Sequence, residues 1–266
     1  MKLRTIFTTA FALILFIGTV ATSAQSTPQV SSGTGRIRMI HASAGTPNVD
    51  VYLGSSKTPL VSNFAFGTNT GFLTLPVATY SVSIRAAGAP PETAPLATGA
   101  FVNSEDAFGS VVIIGLLDRQ GSRAVKFMEV PVNFDPAWGR ARVQVIHASP
   151  DTPKIDLLTN NVVAMDGLLY GDGLFTGITF APGTYNLAVV RSNQLVGTAD
   201  ATAAVQPAPV FIDMPGTPLA GNTLYTVIAI GLRENIHPLV LVDAIPLPPP
   251  PTPTLVPTWT PTPFGQ

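Results

Sequence analysis

No cysteine occurs in the 266 residues. A disulfide framework is therefore excluded, and so is a lipid-modified cysteine behind a leader. Charge is scarce: 14 Lys and Arg stand against 15 Asp and Glu, for a net charge of −1. The basic residues form no stripe, so the electrostatic footprint of a nucleic-acid binder is missing. Histidine is rare, with three in the chain. A helical period is missing too, since no stretch beyond residue 24 sustains one over three turns. Nor does any later apolar run reach membrane-spanning length; Val111 to Leu117 is strand-sized.

What the chain does contain is a repeat. Arg36-Ile37-Arg38-Met39-Ile40-His41-Ala42-Ser43 runs through Thr46-Pro47 to Val49-Asp50-Val51. It returns as Arg142-Val143-Gln144-Val145-Ile146-His147-Ala148-Ser149, through Thr152-Pro153 to Ile155-Asp156-Leu157. The spacing from His41 to Asp50 equals that from His147 to Asp156. Two similar modules are expected, over residues 35–131 and 140–246. Each is roughly one hundred residues, near the commonest domain size. Hydrophobic residues make up 46% of the chain, ample for two cores.

The ends read differently. Lys2 and Arg4 precede an apolar run from Ile6 to Val20, and Ala21, Ser23 and Ala24 are small. This is the pattern of an export signal over residues 1–24, with cleavage expected after Ala24. The mature chain is then expected outside the cytoplasm, extracellular or associated with the cell envelope, without a transmembrane span. Residues 247–266 are rich in Pro and Thr. Such a segment lacks donors for sheet or helix and favours extended polyproline II, reaching about 60 Å as a spacer or disordered tail. Its Thr hydroxyls are candidate sites for O-linked sugars.

Between the ends, alternation dominates. Tyr80, Val82 and Ile84 alternate with Ser81, Ser83 and Arg85; Tyr185, Leu187 and Val189 alternate with Asn186, Ala188 and Val190. Period two with β-branched and aromatic residues predicts strands. Ser110 to Leu116 and Thr226 to Leu232 are matching apolar runs, read as central strands. The expected fold is all-β: two tandem antiparallel β-sandwiches of immunoglobulin or prealbumin type. A second shared element, Leu75-Pro76-Val77-Ala78-Thr79-Tyr80 against Ala181-Pro182-Gly183-Thr184-Tyr185, predicts a turn followed by a Tyr whose hydroxyl bonds nearby backbone. The joint falls in residues 131–139, where Phe134 and Trp138 are expected to pack.

The run from His147 to Asp156, the Pro-Gly-Thr-Tyr turn and the apolar strand ending in Gly231 resemble a DUF4397 repeat, a bacterial exported domain of uncharacterised function often found in tandem. The first copy departs from that pattern, with Ala44-Gly45 in place of Pro-Asp and Val77-Ala78 at the turn Gly. The resemblance covers nearly all of the chain between signal and tail, and it implies no particular activity.

Candidate chemistry is thin. His41 and His147 lie on the apolar parity of their strands, which predicts buried, hydrogen-bonded rings. Together with Asp50, Tyr80, Asp156 and Tyr185 they form a signature expected to be structural. One His and one Asp per module fall short of the three or four ligands of a zinc site. His41 with Ser43, and His147 with Ser149, suggest nucleophile and base only superficially. Residues i and i+2 of a strand sit roughly 6.5 Å apart, against the about 3 Å that such a pair needs. Gly171-Asp172-Gly173 and Gly177 read as turns rather than a phosphate loop. Asp151, Asp156, Asp166 and Asp172 are candidates to gather at one sheet end around calcium, but no D-x-D-x-D spacing supports them. Tyr52 is a candidate surface aromatic for stacking on a sugar. No catalytic, metal or cofactor residue is assigned. The expected role is a non-enzymatic envelope module for adhesion, display or spacing. The alternatives are a module binding glycan or envelope polymer, and an enzyme with an unrecognised site.

Overall fold

The computed structural model describes residues 33–134, 139–192 and 209–245. The signal, the tail and Trp138 lie outside the described residues. The first half contains β1 (Thr34–His41), β2 (Val49–Leu53), β3 (Val61–Phe64), β4 (Leu73–Pro76), β5 (Ala78–Ala86), β6 (Ala97–Asn103), β7 (Phe108–Ile114) and β8 (Lys126–Pro131). The second repeats the set: β9 (Ala141–His147), β10 (Ile155–Thr159), β11 (Val162–Leu168), β12 (Gly173–Phe180), β13 (Gly183–Arg191), β14 (Val210–Leu219), β15 (Thr223–Ile230) and β16 (His237–Ala244). The only helical pieces among the described residues are two three-residue 3-10 turns, Gly121–Arg123 and Arg233–Asn235.

Each half forms two four-stranded sheets. In the first, β4-β1-β7-β8 faces β3-β2-β5-β6; in the second, β12-β9-β15-β16 faces β11-β10-β13-β14. Ile37, Met39, Val111 and Ile113 meet Val51, Ile84 and Phe101 between the first two sheets. Val143, Val145 and Val227 meet Leu157, Val189 and Ile212 between the second two.

The expectation of purely antiparallel sheets is corrected. β1 pairs with β7 in parallel, with Met39 opposite Val111, and β9 pairs with β15 in parallel, with Val145 opposite Val227. Strand periodicity reports which face a side chain takes and carries no information on the neighbour's direction. Here the chain passes through the opposite sheet before returning to the other edge of β1, which is the long connection a parallel pair needs.

The sheets containing β1 and β9 also pack on each other. Ile40, Val112, Ile114, Met128 and Val130 of the first half meet Ile146, Ile228, Ile230 and Leu241 of the second. The inner strands are thus covered on both faces. Val111, Val112, Ile113 and Ile114 are all at most 2% exposed. This is why their sequence reads as an unbroken apolar run rather than an alternation. At the joint, Phe134 packs edge-on against Phe108 at 4.7 Å and Phe72 at 6.0 Å between ring centroids.

Candidate functional site

The repeated His closes β1 and β9, where the chain leaves the sheet for a tight loop. The His41 and His147 side chains are fully buried. Nδ1 of His41 accepts from the Ser43 amide at 3.4 Å, so Nε2 carries the proton and points it at the Pro47 carbonyl, also 3.4 Å away. His147 repeats this with the Ser149 amide at 3.4 Å and the Pro153 carbonyl at 3.0 Å. Each imidazole ties both ends of its loop to the strand. Burial lowers the pKa of both rings, and the backbone carbonyl partly offsets it. At His147 the charge of Asp172 adds to that offset.

The neighbouring hydroxyls are occupied in the same way. Ser43 Oγ donates to the Gly115 carbonyl at 2.8 Å and lies 2.5 Å from Thr46 Oγ1. Ser149 Oγ lies 2.6 Å from Thr152 Oγ1. Neither serine hydroxyl bonds a His ring, so no nucleophile and base are assembled.

The acids of the signature also serve backbone. Asp50 Oδ1 accepts from the Asn63 amide and Oδ2 from the Gly88 amide, each at 2.8 Å. Asp156 Oδ1 accepts from the Gly167 amide at 2.7 Å. Each carboxylate pins the ends of neighbouring strands and does not meet its His. Tyr80 donates to the Pro76 carbonyl at 3.0 Å and Tyr185 to the Ala181 carbonyl at 2.9 Å, which locks the turn ahead of β5 and β13.

Asp151 is spent on the Arg233 amide at 2.8 Å. Among the described residues, no three His, Asp or Glu side chains come together as a metal site. Tyr52 is 3% exposed, its ring under the Arg85 guanidinium at 4.8 Å, so the surface-aromatic expectation is corrected. In the sheet, Tyr52 stands opposite Ser83 on β5, and Arg85 two residues on covers its face.

A cleft of about 370 Å³ opens between the halves, lined by Gly45, Leu116, Arg119, Arg123, Asp151 and Leu232. It gathers charge of both signs but no histidine. Nearby, burial pushes the Tyr170 hydroxyl up to about 12, and among the described residues that hydroxyl has no hydrogen-bond partner.

Sequence reasoning passed over one polar group. Arg38 and Gln144, at matched positions of the repeat, are 2% and 1% exposed between the two inner sheets. The available signal was their parity: each shares a face of its strand with Ile40 or Ile146, and with Arg36 or Arg142 at the strand's start.

The sheets and stapled loops define a tandem all-β repeat protein whose shared polar residues hold its own backbone. Residues 35–158 and 141–256 each match a domain of unknown function, DUF4397, and the chain belongs to that family. No curated protein matches the chain.

Replacing His147 with Ala is expected to cost about 1–3 kcal/mol, because it leaves a void and an unpaired Ser149 amide and Pro153 carbonyl. Urea unfolding of the variant reads this directly. Unchanged stability would remove the structural role of the ring.

Proposed function

We propose that the chain is an exported, non-enzymatic β-sandwich protein that acts as a structural, display or adhesion module at the cell envelope. The observation that carries this reading is the fate of the repeated polar residues. His41, Asp50, Tyr80 and their partners His147, Asp156 and Tyr185 all bond backbone within their own half. A site evolved for a ligand or a reaction leaves polar atoms free to meet it; here they shape loops. The finer fold reading goes with it. Four-plus-four strands favour the prealbumin form over the immunoglobulin one, whose constant type divides seven strands as four and three.

Export rests on the signal pattern of residues 1–24, and envelope contact on the Pro/Thr tail of 247–266 acting as a spacer. No helix among the described residues is long and apolar enough to cross a membrane. A glycan- or envelope-polymer-binding module is the competing reading, and it needs exposed rings for stacking. Among the described residues the exposed large apolar side chains are valines and leucines, such as Val102, Val162, Leu169 and Val242.

Two measurements test the proposal together. N-terminal sequencing of protein recovered outside the cytoplasm is expected to begin at Gln25. An array of glycans and envelope polymers probed with that protein is expected to show no saturable retention. A cytosolic species with Met1 intact would remove export, and saturable retention would move the function to the competing reading.

A further inference from the structure

The two halves meet as the subunits of an isologous dimer do, each giving the other the same patch. Phe66 of the first half stands edge-on to His237 of the second at 6.1 Å, while Tyr170, the match of Phe66, lies under Lys126, the match of His237, at 5.5 Å. A Cβ placed on Gly67 would stand 3.6 Å from Ile230 Cδ1, and one on its match Gly171 would stand 3.8 Å from Ile114 Cδ1. The contacts are reciprocal, so the halves are related by an approximate twofold axis.

The polar chain at the centre breaks that symmetry. Arg38 Nε donates to Ser110 Oγ at 2.8 Å within its own sheet. Nη1 reaches across to Asp243 Oδ2 at 2.7 Å, and Nη2 to Thr226 Oγ1 at 3.5 Å. The guanidinium also lies over the Phe72 ring at 4.8 Å. Gln144, the match of Arg38, reaches the other way: its amide donates to the Pro131 carbonyl at 3.2 Å and accepts from Thr226 Oγ1 at 3.3 Å. The match of Asp243 is Val132. Asp243 pairs opposite Leu224 at the foot of β15, and Val132 bonds Phe108 at the foot of β7.

We propose that this buried seam selects the pairing, so that the inner-sheet face of each half fits the unlike half of the repeat and rejects a like one. Two first halves face to face would set Arg38 against Val132, twice, and leave buried guanidinium groups without a carboxylate. Two second halves would set Asp243 against Gln144, twice, and leave partly buried carboxylates without a cation. A buried charge stripped of its partner is among the costliest defects in a protein interface. The unlike pairing alone gives one cation one anion. The apolar surround, being nearly the same on both faces, supplies adhesion without choice. The partner fitted by this surface is the second half of this chain, and a stray copy of the first half is refused.

Full-length variants that rewrite the seam test this by calorimetric melting. Gln144→Arg with Asp243→Val gives the second half the seam of the first. Arg38→Gln with Val132→Asp gives the first half the seam of the second. Each pair is expected to lower the thermal midpoint by roughly 10 °C. All four substitutions together restore an unlike seam in mirror image, and they are expected to recover at least half of the summed loss. Like-seam chains melting within about 2 °C of the parent would overturn the proposal, since a shift that small is below one lost buried pair. So would a four-fold variant whose loss equals the sum of the two pairs. Should a two-fold variant fail to fold, the four-fold chain still decides: folding supports selection, and failure overturns it.

Discussion

Gly115→Ala is expected to lose about 3 kcal/mol or more of stability. Gly115 follows β7 at φ +107°, a backbone conformation closed to residues with a Cβ. A Cβ built there would meet the Ala124 carbonyl oxygen at 2.2 Å and its carbon at 2.6 Å. Both are backbone atoms, so no side chain can swing aside. Backbone strain and overpacking each carry roughly 1–3 kcal/mol, and here they act together. The position is also tied to the signature loop, because the Gly115 carbonyl accepts the Ser43 hydroxyl at 2.8 Å and Leu116 N–H donates to Arg123 at 2.9 Å. Moving it loosens the turn that His41 holds. Gly45→Ala is the control: φ is +76° there, but nothing lies within 4 Å of the added Cβ. It is expected to lose about 1 kcal/mol, from strain alone. Urea unfolding of both variants separates the two terms. A Gly115→Ala chain within about 0.5 kcal/mol of the parent, the usual scatter of a neutral surface change, would sink the assignment.

Gly115 also illustrates what the sequence made legible. The matching apolar runs were readable as strands, but they were carried through Gly115 and Gly231 to Leu116 and Leu232; the strands end at Ile114 and Ile230, and both glycines take positive φ, +107° and +91°. The strands themselves, and the burial of His41 and His147, followed from parity. The direction of β1 against β7 did not, because side-chain alternation is the same in parallel and antiparallel pairs. The unbroken burial of Val111 to Ile114 required knowing that a second sheet covers the outer face. Arg38 and Gln144 were visible as polar residues on the Ile40 parity. Their meaning was hidden, since that face is solvent for one module alone and core only when two modules stack. The signature was readable as a repeat, whereas its chemistry depended on which atoms it meets. Asp50 and Asp156 stand nine residues after their histidines, yet they point to the Asn63, Gly88 and Gly167 amides.

Stability is expected to fall on acidification below about pH 6.5, and the two signature histidines set the direction. Each ring is neutral in the fold. Its Nδ1 accepts from a Ser amide and its Nε2 proton faces a Pro carbonyl. A second proton has to enter at Nδ1, where it meets an N–H donor inside the buried interior. Burial is the larger cause of the lowered pKa at both sites, with the carbonyl contacts, and Asp172 beside His147, opposing it. The folded pKa therefore lies below the unfolded value near 6.5. Above that value both states are neutral and the full stability is present. As pH falls below it, the unfolded chain takes up protons that the folded chain refuses. The loss then approaches about 1.4 kcal/mol per pH unit for each ring, or about 2.7 for both, until the folded rings titrate. Urea midpoints measured at pH 7.5, 6.5 and 5.5 are expected to be level across the first interval and to drop across the second. A His41→Gln, His147→Gln chain is less stable at pH 7.5, and its midpoint is expected to change far less between pH 6.5 and 5.5. A parent midpoint that stays flat or rises on acidification, or a double variant that keeps the full slope, would show that these rings are not held neutral by the fold.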